Sequence, residues 1–557
     1  MKSEIKNCQN CHKDFIIEPD DFSFYEKMKV PPPNVCPDCR FKMRAMWRNE
    51  ISLYNRKCAK TGESIISNYS PKSLYTVVSQ EYYNSDNWDA KDFALEYDFE
   101  KPFFDQLEEL FLSVPKPATF LSLVDGQNIN SEYSNYASGL KNCYMVFNTG
   151  PEVEEILYSR GVRNCREVVD CYYINLSSEL IYECVNCSKS SRVIYGKNTN
   201  SCVDCCFITN MSGCTNCFGC VNLRNASHQI FNKQYTKEEY NKIVSDILGS
   251  YKKIEEFKKQ FAEFEKTFPM RESNNLRSVN STGDYLFECK NIKNSFEILK
   301  GEDSNLLFAC KNIKNSSGVI GYGFNSEKLL ECASVGYSSN MIGTVTTTNC
   351  QNILYSSFTR NCHDCIGCDG LKNAQYCIFN KQYTKEEYEK VKDHIVKELT
   401  EKGIHGLIMP PEIAPFAYNE TIAQDNMPLT KEEALSQGFR WEDDIQMTKG
   451  KETLKTENIP DHIKDVSDSI TNEILKCINC ERNYKITEQE LLFYRKMILP
   501  IPRKCFFCRH RDRIHRRGPF KFSIRKCSHC GKDTHTNLTE EVAPIMYCEK
   551  CYQQEVI

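Results

Sequence analysis

Phe287-Glu-Cys289-Lys-Asn-Ile-Lys-Asn-Ser295 returns 21 residues later as Phe308-Ala-Cys310-Lys-Asn-Ile-Lys-Asn-Ser316, and Cys332 follows after a further 22. Asn142-Cys143, Asn164-Cys165 and Asn186-Cys187 are also spaced by 22. Short apolar dyads separated by Asn-Cys steps, with few helix formers, predict a parallel β-solenoid whose coils take about 21 residues. Asn tolerates the left-handed backbone of a coil corner, and small Cys side chains can stack inside. A leucine-rich repeat shares the period, but its ordered leucines are missing.

Outward from this stretch the chain is duplicated. Ile230-Phe-Asn-Lys-Gln-Tyr-Thr-Lys-Glu-Glu-Tyr240 recurs unchanged at Ile378 to Tyr388, an offset of 148. The same offset carries Cys184, Cys202, Cys214, Cys217 and Cys220 onto Cys332, Cys350, Cys362, Cys365 and Cys368. Each solenoid half ends in a helix opened by a capping box, Thr236 with Glu239 and Thr384 with Glu387, in which each side chain satisfies an orphan amide. The first helix carries an apolar stripe from Tyr240 to Phe268 at three- and four-residue steps. Packing on the solenoid is its plain reading, and binding a partner is the alternative. A shorter amphipathic helix is expected between Pro102 and Pro115.

A second duplication frames the first. Cys8, Cys11, Cys36, Cys39 and Cys58 recur at an offset of 469 as Cys477, Cys480, Cys505, Cys508 and Cys527. Phe24-Tyr25, Lys27-Met28, Pro31, Pro33, Arg40, Arg44 and Arg48 match their counterparts in the same register. Two Cys-x2-Cys pairs at one spacing predict a closed tetrahedron of thiolates around zinc, with a treble-clef-like hairpin followed by a helix. Cys527, Cys530, Cys548 and Cys551 have the spacing of a zinc ribbon. The N-terminal copy keeps Cys58 but has Thr61 in place of Cys530. A three-residue slide of the alignment sets Thr76 and Ser79 on Cys548 and Cys551, so this lobe is expected to fold without metal. The expectation is three zinc ions.

The 557 residues carry 32 cysteines, a net charge of −4 and 40% hydrophobic residues. No stretch has the length and apolarity of a membrane span, and Met1 to Cys8 lacks the apolar core of a secretory signal. A cytosolic chain with reduced thiols is the reading, in which paired cysteines are metal ligands before they are disulfides. Two triplets, Cys214, Cys217, Cys220 and Cys362, Cys365, Cys368, resemble iron–sulfur spacing, but Leu223 and Leu371 fill the slot of the fourth ligand. Core cysteines are the default there, and an additional metal is the alternative.

The charge feature above background follows each four-cysteine set. Arg40, Arg44 and Arg48 step by four on one helix face. From Arg503 to Lys526 ten Lys and Arg stand against one acid, Asp512. Arg509, Arg511, Arg513, Arg516 and Arg517 belong to this run. Such faces suit contacts with the phosphates of RNA or a ribonucleoprotein, with Trp47, Phe506 and Phe507 as stacking platforms. Docking on the chain's own acidic segments, or on acidic protein partners, is the competing reading. No Walker loop, dinucleotide fingerprint, His-Glu-x-x-His or nucleophile elbow occurs, so the chain reads as no enzyme. A solenoid groove lined with carboxylates is the one enzymatic alternative.

The framing motif Cys-x2-Cys, Phe-Tyr-x-Lys-Met, Pro-x-Pro, Cys-x2-Cys-Arg-x3-Arg, with Gly213-Cys-Thr-Asn-Cys-Phe-Gly-Cys-Val-Asn-Leu-Arg-Asn225 and Tyr418-Asn-Glu-Thr421, resembles a family of cysteine-rich zinc-binding proteins of candidate-phylum bacteria with small genomes. The resemblance covers nearly the full length. It implies cytosolic zinc binding and brings no established activity. Some relatives bear a CaiB/BaiF (CoA-transferase) label, a chemistry the residues here do not support. Family members often keep the first ribbon's cysteines, where this chain has Thr61, Thr76 and Ser79.

The expected order is therefore mainly β and multidomain: a four-Cys zinc module at 1–60, a degenerate ribbon and helical connector at 61–140, solenoid half 141–234, amphipathic helix 235–269, solenoid half 270–382, helix 383–404, connector 405–470, zinc module 471–526 and zinc ribbon 527–557.

Overall fold

The computed structural model describes residues 2–122, 126 and 128–557. The chain is mainly β and forms two compact units. One comprises Met1–Thr119, Ser273–Ile445 and Phe520–Phe522, and the other Phe120–Glu272, Gln446–Pro519 and Ser523–Ile557. The cysteine module that begins the chain thus shares a unit with the ladder of strands that comes second in sequence. The module near the C-terminus shares a unit with the ladder that comes first.

Each ladder is a row of parallel strands with a short register. In the first, Ser191 pairs with Val203, Val203 with Thr215 and Thr215 with Ser227, a step of 12 residues. The step is 13 where Arg166 meets Glu179. In the second, Glu327, Ser339, Gln351, His363 and Gln375 pair in turn at 12. Both ladders close on a short antiparallel strand, Lys233–Gln234 and Lys381–Gln382. The strand step is therefore 12 or 13, not the 21 expected.

The reason lies in a finer period of three. Left-handed backbone recurs at Asp204, Phe207, Asn210, Gly213, Asn216, Gly219 and Asn222. Inward side chains recur between them at Cys202, Cys205, Ile208, Met211, Cys214, Cys217 and Cys220. Each three-residue side ends in a left-handed corner, and four sides make one strand step. The Asn-Cys dyad is a corner followed by an inward residue, as at Asn164-Cys165 and Asn186-Cys187. Recurrence at 21 spans seven sides, so it reports the side and not the circuit. Corner asparagines stack: Asn186 Nδ2 donates to Asn198 Oδ1 at 2.9 Å, and Asn198 Nδ2 to Asn210 Oδ1 at 3.2 Å.

The apolar stripe after the first ladder is two helices, Lys237–Ile247 and Tyr251–Glu265. Gly249 separates them at φ +88, with the His462 ring where a Cβ would stand. Phe257 on the second helix packs on Phe207, Phe218 and Phe231 at centroid distances of 4.9, 4.3 and 5.0 Å. The stripe is thus spent on the ladder. Both capping boxes form as their sequences require, and Phe103–Ser113 is the expected short helix.

The helix after each first cysteine module lies on its ladder through buried ion pairs. Arg40 and Arg44 both bond Glu331, which is 0% exposed, Arg40 at 2.7 Å. In the other unit Arg513 bonds Asp170 at 2.9 Å and Glu183 at 3.2 Å, while Arg509 is ion-paired with Asp170 at 2.8 Å. The offsets of the two duplications carry Arg513 onto Arg44 and Glu183 onto Glu331, so this contact is itself duplicated. Asp170 corresponds to Gly318, where a Cβ would stand 2.5 Å from Glu331 and 2.9 Å from Arg44. One carboxylate there serves two guanidinium groups. Glu331→Ala leaves both buried without a counter-charge, and a loss of about 3–5 kcal/mol is expected. Denaturant unfolding of wild type and E331A, with metal content matched, measures it.

Candidate metal centres

Three sets of four cysteines bring their sulfurs within 4.8 Å of one another: Cys8, Cys11, Cys36, Cys39; Cys477, Cys480, Cys505, Cys508; and Cys527, Cys530, Cys548, Cys551. Local sequence builds each in the same way. A short hairpin supplies the first pair, as Glu4–Asn7 with Asp14–Ile17 or Ser523–Lys526 with Asp533–Thr536. The second pair sits at a helix start, where Cys36, Cys505 and Cys548 are the capping residues of Pro37–Ala45, Phe506–Arg517 and Glu549–Glu555. The set at 527–551, expected as a ribbon, therefore has its second pair on a helix.

The spacing fits a tetrahedral ion. Metal–sulfur bonds of about 2.3 Å place neighbouring sulfurs about 3.8 Å apart. The Sγ–Sγ separations are 3.7 Å for Cys11 and Cys36, 3.6 Å for Cys480 and Cys505, and 3.8 Å for Cys530 and Cys548. Electrostatics favours a thiolate at the first cysteine of each set, whereas Cys36 is pushed up by its neighbour Cys39 and by burial, and Cys505 and Cys551 are pushed up by burial. Burial pushes the first thiol of each set up, but backbone N–H donors outweigh it and bring Cys8 and Cys477 down to about 7 and Cys527 to about 6. One such donor is the Cys36 amide, 3.2 Å from the Cys8 sulfur.

The fourth lobe keeps the frame without the ligands. Cys58 follows the hairpin strand Tyr54–Lys57, and Ser79 caps helix Gln80–Asn84. The Ser79 amide donates to the Cys58 sulfur at 3.3 Å, as the Cys548 amide donates to Cys527 at 3.3 Å. The offset of 469 therefore holds throughout: Ser79 stands for Cys548 and Tyr82 for Cys551. The three-residue slide that set Thr76 and Ser79 on the two cysteines is corrected by this register. Val78 and Tyr83 pack on Cys58, with Ile65, Tyr82 and Trp88 around them, an apolar cluster where the other lobes have four cysteines.

The triplets Cys214, Cys217, Cys220 and Cys362, Cys365, Cys368 form no such centre. Among the described residues, the three sets above are the groups that bring metal-ligating atoms together. The triplet residues are successive inward positions of the ladders, and their thiols donate to backbone carbonyls. Cys214 meets Ser212 and Leu223 oxygens at 3.4 and 3.5 Å, and Cys368 meets those of Ile366 and Cys377 at 3.4 and 3.5 Å. Their x2 spacing is the three-residue side of the ladder.

The arginine faces expected to meet phosphate point inward. Arg40, Arg44, Arg48, Arg509, Arg513 and Arg517 are all buried. Arg48 bonds Glu50 at 2.7 Å, and Arg517 donates to the Tyr172 hydroxyl at 2.6 Å. Arg516 is half-buried against Glu183, and Arg511 is exposed beside the Cys508 sulfur at 3.4 Å. Trp47 and Phe506 are buried as well. Sequence pattern found the helix face and missed which surface covers it, because Glu331, Asp170 and Glu183 lie far along the chain.

Glu420 of the Tyr418-Asn-Glu-Thr421 motif is buried in the first-named unit. It accepts from the Tyr54 hydroxyl at 2.6 Å and the Ala417 amide at 2.7 Å. Burial pushes its carboxyl up to about 7 from 4.5. The chain matches no family model, no curated protein and no solved structure.

Two measurements follow from this geometry. Cobalt(II) titration, read by the thiolate charge-transfer band, should saturate at three ions per chain, matching the three sets. A variant with Thr61→Cys, Ser79→Cys and Tyr82→Cys should take one more. Because the Glu420 carboxyl is raised, its contribution to stability is complete below pH 4.5 and is lost as pH rises through about 7. Unfolding free energies at pH 5 and pH 8 should differ less in E420Q than in wild type.

Proposed function

We propose that this protein is an interaction scaffold in which two β-solenoid halves, each with a coil of 12 or 13 residues, are braced by zinc-holding modules. The observation that carries this reading is the burial of both arginine rows on Glu331, Asp170 and Glu183. A row committed to internal carboxylates holds a module in place and leaves phosphate contacts to other groups. Four thiolates per ion saturate a tetrahedron, so zinc in these sites acts through structure. Thiolate ligation suits zinc among the common divalent ions.

RNA or ribonucleoprotein binding through these modules is the other reading, and it now rests on the exposed Arg511 and the cations near it. The scaffold reading is tested on full-length protein purified with its zinc. Associated proteins recovered by crosslinking in cells should persist after nuclease treatment and should disappear when Cys36→Ser and Cys39→Ser remove one zinc site. Nuclease-sensitive association, or nucleic acid recovered from wild type and lost in Arg511→Glu, overturns the reading.

A further inference from the structure

The unit that holds the first ladder contains a cavity of about 430 Å³ that none of the metal centres uses. The ladder contributes Tyr195, Lys197 and Thr209, helix Tyr251–Glu265 contributes Tyr251 and Phe261, and helix Phe506–Arg517 contributes His515 and Arg516. The volume lies within the range of small-molecule pockets, roughly 300–1,000 Å³. Seven Lys and Arg and five Asp and Glu line it, and Asp170 and Glu263 just outside the lining pair with Arg509 and Lys266.

Most of these charges are already matched. Lys258 pairs with Glu255 at 2.6 Å, Lys504 with Asp512 at 2.7 Å and Arg516 with Glu183 at 3.1 Å. Lys197 is different. It is 9% exposed and has no hydrogen bond or carboxylate partner among the described residues. Its register partners are Val185 and Thr209. The Thr209 hydroxyl is committed to Glu265 at 2.6 Å. Its side chain lines the cavity, so an anion bound there can supply the counter-charge it lacks.

The internal duplication shows that packing does not require these charges. At the offset of 148, Lys197 corresponds to Val345, which is buried. At the offset of 469, Val35, Met46 and Trp47 stand where Lys504, His515 and Arg516 stand. The same scaffold is apolar in one copy and cationic in the other.

We propose that this cavity binds a small organic phosphate, a phosphate monoester whose dianion meets Lys197 with His515 and Arg516 nearby and whose apolar body lies against Tyr251 and Phe261. The site is separate from the scaffold reading and stands or falls without it.

Calorimetric titration of the zinc-loaded full chain tests this with phenyl phosphate, benzoate and inorganic phosphate as probes. Phenyl phosphate should bind, benzoate and inorganic phosphate at least tenfold more weakly. Lys197→Val, which installs the residue of the other copy, should lower phenyl phosphate affinity at least tenfold while keeping zinc content and melting temperature. Lys197→Met serves the same purpose should the valine variant fold poorly. No binding of phenyl phosphate to wild type, binding unchanged in both variants, or benzoate binding as tightly as phenyl phosphate overturns the proposal.

Discussion

The contact on which each unit depends is a row of guanidinium groups closed onto carboxylates at the left-handed corners of a parallel ladder. Glu331 and Glu183 both sit at such corners, with φ of 53° and 52°. A corner residue points away from the core, so its carboxylate reaches whatever lies on the ladder's side. Taking these ions out of water is costly, and only multiple hydrogen bonds in good geometry offset the loss. Arg513 meets that condition through Asp170, Glu183 and the Tyr158 carbonyl at 3.1 Å. The metal centres and the ladder are joined through this contact. Cys36 and Cys39 fix the start of the helix that carries Arg40 and Arg44, and Cys505 and Cys508 do so for Arg509 and Arg513. A metal held by these sulfurs would therefore aim the arginines, and the arginines fasten the module.

The ladder pays for its tight circuit in backbone conformation. A left-handed L-residue is disfavoured by roughly 1–2 kcal/mol, and here such residues include Tyr195, Phe207 and Glu297. Continuous parallel hydrogen bonding and a sealed core offset that cost. A three-residue side leaves little internal volume, which explains why cysteine recurs inside: it is small, apolar enough to bury, and its thiol can donate to a carbonyl two residues back. Cys184 donates to Tyr182 at 3.3 Å and Cys205 to Val203 at 3.2 Å in this way. Burial pushes the Cys165 thiol up to about 12 and the Cys143 thiol up to about 11, so these sulfurs stay protonated at neutral pH. The chain thus places cysteine in two settings, four-sulfur sets at hairpin turns and helix starts, and single inward positions along the ladders.

Much of this was legible in the sequence, and the limits have physical causes. The three four-cysteine sets are readable because their spacing is local: a hairpin turn and a helix start each set two sulfurs within a few residues. The step of the ladder is hidden in the sequence because Asn-Cys dyads mark individual sides, and sides occur more often than they carry that signature. Only the pairing register separates a circuit of 12 from a recurrence of 21. The degenerate lobe was displaced by three residues because Tyr75 resembles Tyr547, whereas the amide of Ser79, not the aromatic ring, keeps the metal-site geometry. The arginine rows were legible as faces, but their covering surface comes from Glu331, which is 287 residues from Arg44. A helix face rich in arginine carries no mark of whether water, phosphate or a distant carboxylate meets it.

The two duplications also show which features the architecture itself demands. Positions that hold the module to the ladder are kept in both copies: Arg44 with Arg513, Arg40 with Arg509, and Glu331 with Glu183. Positions beside them are free to change character, as Asp170 against Gly318 and Lys197 against Val345. Gly318 removes one carboxylate and gives Arg44 and Glu331 the room they occupy, since any side chain there would strike both. The lobe at Cys58 has an apolar cluster in place of a four-cysteine set under the same hairpin and helix. Divergence has therefore proceeded around a fixed set of buried ionic contacts, and residues that differ between copies without a packing reason are where a specific activity of this chain is to be sought.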